Sequence, residues 1–163
     1  KRYAMKNLRK YRIAVVQMDS RNDKGANVKY ACQCIDEAAA NGAKLISFPE
    51  LYRIMTLEGA QVIFTPASFT MATGKEHWEC ILRTRAIENA CYIIAADQIG
   101  QKHEFLAYGH SMVIDPWGTI IAKARDEAGM FYADIDLDYE DKIRQKVPVL
   151  KNRRADIYEV KRR

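Results

Sequence analysis

Residues 45–55 read "LISFPELYRIM", and the fold turns on how this stretch is divided. Its left half closes "AKLISF" (43–48), a short apolar run of the kind that forms a buried strand. Its right half opens "ELYRIMTLEGA", which reads as a helix stopped by Gly59. Glu50 stands between them. It follows a strand and a proline, at the carboxyl end where open α/β sheets place their sites. The same position suits a carboxylate in a helix first turn, where the helix dipole favours it. Spacing alone leaves both roles open.

Upstream, "RIAVVQMD" (12–19) reads as a buried strand. "SRNDKGAN" follows as a loop with helix-start residues. Val28, Ala31, Cys32, Ile35, Ala38 and Ala39 then fall at helical spacing, and Asn41-Gly42 ends that helix. Downstream, "QVIFTP" (61–66) predicts a third strand and "ASFTMATG" a loop. A helix over 75–90 is expected to turn Trp78, Ile81, Leu82 and Ile87 inward. "CYIIAAD" (91–97) predicts a strand and "QIGQKHEFLAYG" a polar loop. "HSMVIDPWGTIIAKA" (110–124) predicts a hairpin turned by Pro116 and Gly118, with Trp117 packed at the turn. "GMFYADID" (129–136) is a further strand, and "DYEDKIRQKV" a short helix before Pro148. Strand–helix units followed by consecutive strands imply parallel crossovers and then an antiparallel addition, an α/β layer protein with a mixed sheet.

The chain has 163 residues, 48% hydrophobic and 29% charged, enough for one domain with a real core. Its apolar runs are too short to span a membrane, and "RIAVVQ" lacks the features of a signal peptide. A cytoplasmic location is the expectation, with no membrane partner. Residues 1–4 precede Met5, a candidate native start.

The net charge of +5 is unevenly placed. Residues 1–12 carry six Lys or Arg and no acid, and residues 151–163 carry net +4. About −5 is left for 13–150. The division expected is therefore a basic tail at 1–11, a single domain at 12–150 and a basic tail at 151–163. No nucleic-acid partner is expected, because no recognised motif or stacking platform accompanies the basic residues. Cys32, Cys34, Cys80 and Cys91 form no C-x-x-C, and His77, His103 and His110 lack ligand spacing. Reduced thiols, with neither metal nor cofactor, are expected.

Taken as a set, these stretches resemble the nitrilase superfamily of carbon–nitrogen hydrolases, in its omega-amidase-like branch. "RIAVVQMD" and "KLISFPE" are similar to the family's first two strands. "GAQVIFTPASFTMATGKEHWECILRTRAIENACYIIAADQIG" is similar to its later core, "YGHSMVIDPWGTIIAKA" to its hairpin, and "ADIDLDYEDKIRQKVPVLKNRR" to its closing strand and helix. The resemblance covers roughly residues 11–154. It implies a nitrilase-like layered fold, truncated relative to the full αββα sandwich. It also implies acyl transfer through a Cys thiolate, with a Glu as general base and a Lys stabilising the oxyanion.

Under this resemblance Glu50 matches the general base. The family also carries "RFPELYR" just after its nucleophilic Cys. Here "SFPE" continues the first motif and "FPELYRIMTLEGAQVIF" the second, so the two are fused through one Phe-Pro-Glu. The family's middle portion, with the catalytic Lys and Cys, is missing. Cys91-Tyr92 is a superficial match to the lost Cys-Tyr; its surroundings match a later strand, which favours a core thiol over a nucleophile. Cys80 sits among Glu76, Arg83 and Arg85 and is expected to be partly exposed. Neither Lys44 nor Lys75 is placed by a motif as an oxyanion donor.

Phe69, Thr70, Met71, Thr73 and His77 fall in or beside the stretch resembling the family's substrate-side loop, and are the substrate-binding candidates. Ordinary packing is an equal reading for Phe69 and Met71. Arg83, Arg85, Glu88 and Asn89 are expected to fix their helix.

The resemblance implies hydrolysis of small linear amides, such as dicarboxylate monoamides. This chain, with only Glu50 of the Glu-Lys-Cys set, is expected to be inactive. The alternative is a non-catalytic pseudoenzyme or oligomerisation module, with a homo-oligomer as partner. A third reading is a deletion product that does not fold properly.

Overall fold

Strand Tyr92–Asp97 is buried on both faces, and the molecule is layered around it. Cys91, Ile93 and Ala95 point one way, into a core with Ile63, Trp78, Leu82, Ala86, Met112 and Ile114. Tyr92 and Ile94 point the other way, into a core with Val113, Ala133, Ile135 and Leu137. This is the period-2 alternation of a strand, with apolar residues supplied to both sides. The structure is a computed structural model that describes residues 9–17, 26, 29, 33 and 52–157. Glu50, the expected strand at 43–48, most of the expected helix at 28–39, Cys32, Cys34 and the outer parts of both basic tails lie outside the described residues.

In chain order the described elements are β1 (Lys10–Gln17), α1 (Tyr52–Leu57), β2 (Val62–Ala67), α2 (Met71–Thr73), a π-helical turn (Gly74–Trp78) and α3 (Glu79–Asn89). There follow β3 (Tyr92–Asp97), β4 (Ile99–Gln101), β5 (Leu106–Tyr108), β6 (Met112–Ile114), β7 (Ile120–Lys123), β8 (Gly129–Asp136) and α4 (Leu137–Lys146). Among the described residues the central sheet has four strands in the order β2-β3-β6-β7. β2 and β3 are parallel, from Val62↔Tyr92 to Ala67↔Asp97, with α2 and α3 as the crossover. β6 and β7 add antiparallel, so the sheet is mixed. One layer is the helix, one is this sheet, and a third is the antiparallel ribbon β1-β8.

β1 pairs antiparallel with β8, from Lys10↔Asp136 to Gln17↔Gly129, and among the described residues these two strands form a sheet apart from the central one. Ala133 and Ile135 of β8 then face the core on the far side of β3.

Three local readings are corrected. The expected loop at 67–74 contains α2 and the start of the π-helical turn. The expected polar loop at 98–109 contains the hairpin β4-β5, paired from Ile99↔Tyr108 to Gln101↔Leu106. The inner stripe of the long helix is Trp78, Leu82, Ala86 and Asn89, whereas Ile81 and Ile87 are 41% and 48% exposed. Steps of four and three residues keep that stripe on one face, and Ile81 and Ile87 fall about 95° and about 145° from its centre, on opposite sides.

The predicted hairpin at 110–124 is present as β6-β7. Asp115 turns it, its Oδ1 accepting the backbone N–H of Trp117 and Thr119 at 2.9 Å each. Gly118 has φ +90° and abuts Ile87, so its glycine is needed for conformation and for space. Trp117 is 47% exposed, with the Lys146 ammonium 4.7 Å from its ring centroid. Arg85 pairs with Glu88 at 2.5 Å, Asn89 Nδ2 donates to Arg85 O, and Arg83 Nε donates to Gly118 O, as expected of helix-fixing groups.

Candidate functional site

The parallel pair β2-β3 ends at Ala67 and Asp97, and the loop after β2 is stitched there by its backbone. Gln98 N–H donates to Ala67 O at 3.2 Å, and Tyr108 N–H donates to Phe69 O at 2.9 Å. Thr70 bridges to Ala107 and caps α2, its Oγ1 accepting the Thr73 N–H at 3.3 Å. Gly74 follows. A Cβ there would lie 2.1 Å from Tyr108 Cγ, so the helix approaches β5 through a gap that only glycine leaves.

Asp97 anchors this end. It is 2% exposed, and its Oδ1 accepts the N–H of Phe69 at 2.9 Å and of Gln98 at 3.0 Å. Burial pushes its carboxyl up to about 6, against those backbone hydrogen bonds and the nearby His110, which hold it down. Ser111 Oγ brackets the same residue from behind, accepting Asp97 N–H and donating to Asp97 O.

The substrate-binding candidates divide here. The Phe69 ring packs on Trp78, with centroids 4.8 Å apart, which is the packing role also open to it. Thr70 and Thr73 are tied to each other at the start of α2, with hydroxyls 3.0 Å apart. His77 is exposed on the π-helical turn. Met71 lines a groove of about 460 Å³ with Lys75, Ile99, Leu106, Tyr108, His110 and Asp126 among its walls; the other four candidates do not line it. Glu50 is outside the described residues.

His110 is a feature that sequence reasoning passed over. Its φ is +57°, a left-handed conformation rare for a residue with a Cβ. It follows Gly109, at φ +71°, and its carbonyl accepts the Trp78 indole N–H at 3.0 Å. Its ring stacks on Tyr108 at 4.2 Å. Nδ1 lies 2.8 Å from Tyr108 O, and Nε2 lies 3.0 Å from Asp126 Oδ1. The available sequence signals were a Gly before a His and a carboxylate closing an apolar strand.

At the opposite end of β3, Cys91 is fully buried. Burial pushes its thiol up to about 12, outweighing the Thr56 hydroxyl and the Arg144 and Arg53 guanidinium groups, which act to lower it. At neutral pH it is a thiol, as the core reading expects, whereas nucleophilic attack needs a thiolate. Beside it Glu140 is fully buried, and burial pushes its carboxyl up to about 8 against the neighbouring Arg144. Arg144 Nη2 lies 2.7 Å from Glu140 Oε1. Its directed hydrogen bonds go elsewhere, Nε to Ala90 O at 2.9 Å and Nη2 to Ala60 O at 3.3 Å. Cys80 is exposed and, like Cys91, unpaired. Among the described residues no group of three or more His, Cys, Asp or Glu is placed to hold a metal ion, and no helix is long and apolar enough to cross a membrane.

Comparison with known proteins agrees with this architecture. The sequence model of the family described as carbon-nitrogen hydrolase matches residues 12–52 and 47–145, two segments that overlap across the Phe-Pro-Glu. The chain is 47% identical over 112 residues to the deaminated glutathione amidase of Bos taurus, covering 68% of this chain and 34% of the relative. It is 43% identical over 116 residues to an omega-amidase of Danio rerio, covering 71% of this chain and 42% of the relative. The crystal structure of the C. elegans NitFhit protein superimposes with a TM-score of 0.65 at 47% identity, covering 69% of this chain and 27% of that one. The chain thus spans about a third of the length of the curated relatives it matches first. The mixed sheet, its buried central strand and the two family segments meeting at one Phe-Pro-Glu lead to one conclusion: the chain belongs to the carbon–nitrogen hydrolase family.

Proposed function

We propose that this chain is a carbon–nitrogen hydrolase framework that does not hydrolyse amides by itself. Its ancestral chemistry is the hydrolysis of small linear amides, and the relatives' names, deaminated glutathione amidase and omega-amidase, support that substrate class. One observation carries the reading: the two family segments overlap at residues 47–52, which makes Glu50 the seam between them. The stretch that bears the nucleophile and the oxyanion-stabilising Lys falls in the gap. Neither described cysteine replaces it. Cys91 is a buried thiol, and Cys80 lies on the exposed side of α3. Loss of nucleophile and oxyanion partner together costs many orders of magnitude in rate.

Incubation with a panel of small monoamides is expected to release no ammonia above buffer. Release that disappears in Glu50→Ala would overturn the proposal.

A second reading is favoured by the sheet. β2 ends the order β2-β3-β6-β7, so its outer edge pairs with no strand among the described residues. Such an edge invites association. On this reading the chain is an assembly module working as a homo-oligomer in the reducing cytoplasm, where Cys80 and Cys91 stay unpaired. Sedimentation at micromolar concentration is expected to show a dimer or larger species. A sharp monomer boundary would remove this reading.

A further inference from the structure

The groove beside His110 has a chemistry independent of the missing nucleophile. Its walls include the apolar side chains Met71, Ile99 and Leu106, and its charged groups are Lys75, His110 and Asp126. At about 460 Å³ it falls within the roughly 300–1,000 Å³ of small-molecule sites.

The hydrogen inventory of His110 fixes what it offers. Nδ1 faces a carbonyl, Tyr108 O at 2.8 Å, which only accepts, so Nδ1 carries a hydrogen. Nε2 is the atom turned to Asp126, 3.0 Å from its Oδ1. A carboxylate also only accepts, so this contact is a hydrogen bond when Nε2 carries a hydrogen as well. The ring is held by Tyr108 stacking and by the Trp78 bond to its backbone. Asp126, by contrast, is 85% exposed. An exposed carboxylate therefore sits on a held imidazole N–H at the wall of an apolar groove that also carries the Lys75 ammonium.

We propose that this groove binds a small aliphatic carboxylate, whose carboxylate group replaces that of Asp126 on His110 Nε2 and is shared with Lys75, while its chain lies along Met71, Ile99 and Leu106. Asp126 is then a built-in competitor that fills the position when no ligand is bound. No covalent step is involved, and the site does not depend on Glu50.

The test is titration of the intact chain with sodium hexanoate, followed by the His110 imidazole signals in nitrogen-edited NMR, with hexanamide as the neutral control. Saturable binding of hexanoate is expected, about tenfold tighter than hexanamide, because a charge-assisted bond is lost in the amide. Asp126→Ala removes the competitor from an exposed position and is expected to tighten hexanoate binding several-fold. Lys75→Met is expected to weaken it about tenfold. His110→Asn keeps a residue type that tolerates the left-handed backbone and is expected to abolish it. Equal binding of acid and amide, or hexanoate affinity unchanged or weakened in Asp126→Ala, would overturn the proposal. So would absence of saturation in both the wild-type chain and Asp126→Ala, a gain-of-binding variant that does not rely on damaging the fold.

Discussion

The two ends of β3 each bury a carboxyl group, and they treat it differently. At the carboxyl end, Asp97 receives two backbone N–H bonds on one oxygen, and its carboxyl rises to about 6. At the amino end, Glu140 has the Arg144 guanidinium beside it and the Gln61 side chain within reach, and burial still raises its carboxyl to about 8. Both are desolvated. Oriented backbone dipoles offset more of that cost than a guanidinium whose hydrogens point at carbonyls. The Asp97 end is organised to fix a loop. The Glu140 end is organised to hold α4 against the sheet, with Arg144 as the clamp and the carboxyl largely protonated at neutral pH.

The largest effect is expected from Arg144→Met. It strips Ala60 O and Ala90 O of their charged donor, at a half-buried and a buried residue respectively. Denaturant unfolding is expected to show a loss of about 2–4 kcal/mol. A loss below roughly 0.5 kcal/mol, the size of an ordinary surface substitution, would mean that α4 is held by apolar packing alone.

Gly74→Ala is next. The added carbon meets Tyr108 and forces α2 away from β5, at about 1–3 kcal/mol. Near-neutral stability would show that the Tyr108 ring moves aside freely.

Asp97→Ala removes the acceptor for Phe69 and Gln98 and is expected to cost a similar 1–3 kcal/mol or so. Its distinguishing sign is local: the Phe69 amide should exchange hydrogen faster while amides in the middle of β3 stay protected.

The last effect is read from its pH dependence. Glu140 has a folded value raised from 4.5 to about 8, so its stabilising contribution is whole below about 4.5 and is lost as pH rises through 8. Asp97 behaves alike over a lower window, from 3.8 to about 6. Glu140→Gln mimics the protonated acid. It is expected to match the wild-type chain near pH 5 and to exceed it above pH 8, with slopes differing by up to about 1.4 kcal/mol per pH unit between them. Parallel pH profiles would place the Glu140 carboxyl in contact with water.

Much of the layer order was legible because it rests on short-range signals. The continuous apolar run in "CYIIAAD" and the Asp-Pro-Trp-Gly turn gave β3 and the β6-β7 hairpin within a residue or two. What failed depends on distant partners. Ile87 is as apolar as any helix core residue, yet Gly118 meets it from the hairpin while Ala86 takes the inner position. The pairing of β1 with β8 was not read, because the two strands are far apart in sequence. Of the candidate site, the loop from Phe69 to Thr73 was visible through resemblance. Asp97, His110 and Asp126 were not, because their meaning arises only when the β4-β5 hairpin brings the ends of three segments together.

The β1-β8 ribbon also sets the order in which the molecule can be made. β1 leaves the ribosome early, and its partner Gly129–Asp136 follows only after every other described strand. Until then the edge of β1 that β8 covers is open, at the stage when unpaired edges are most apt to find the wrong neighbour. Closure of so long a loop is slow compared with formation of the local hairpins. That edge is therefore exposed while all the intervening described strands are made, and the yield in the cell should respond to chaperone supply more than the final stability would suggest.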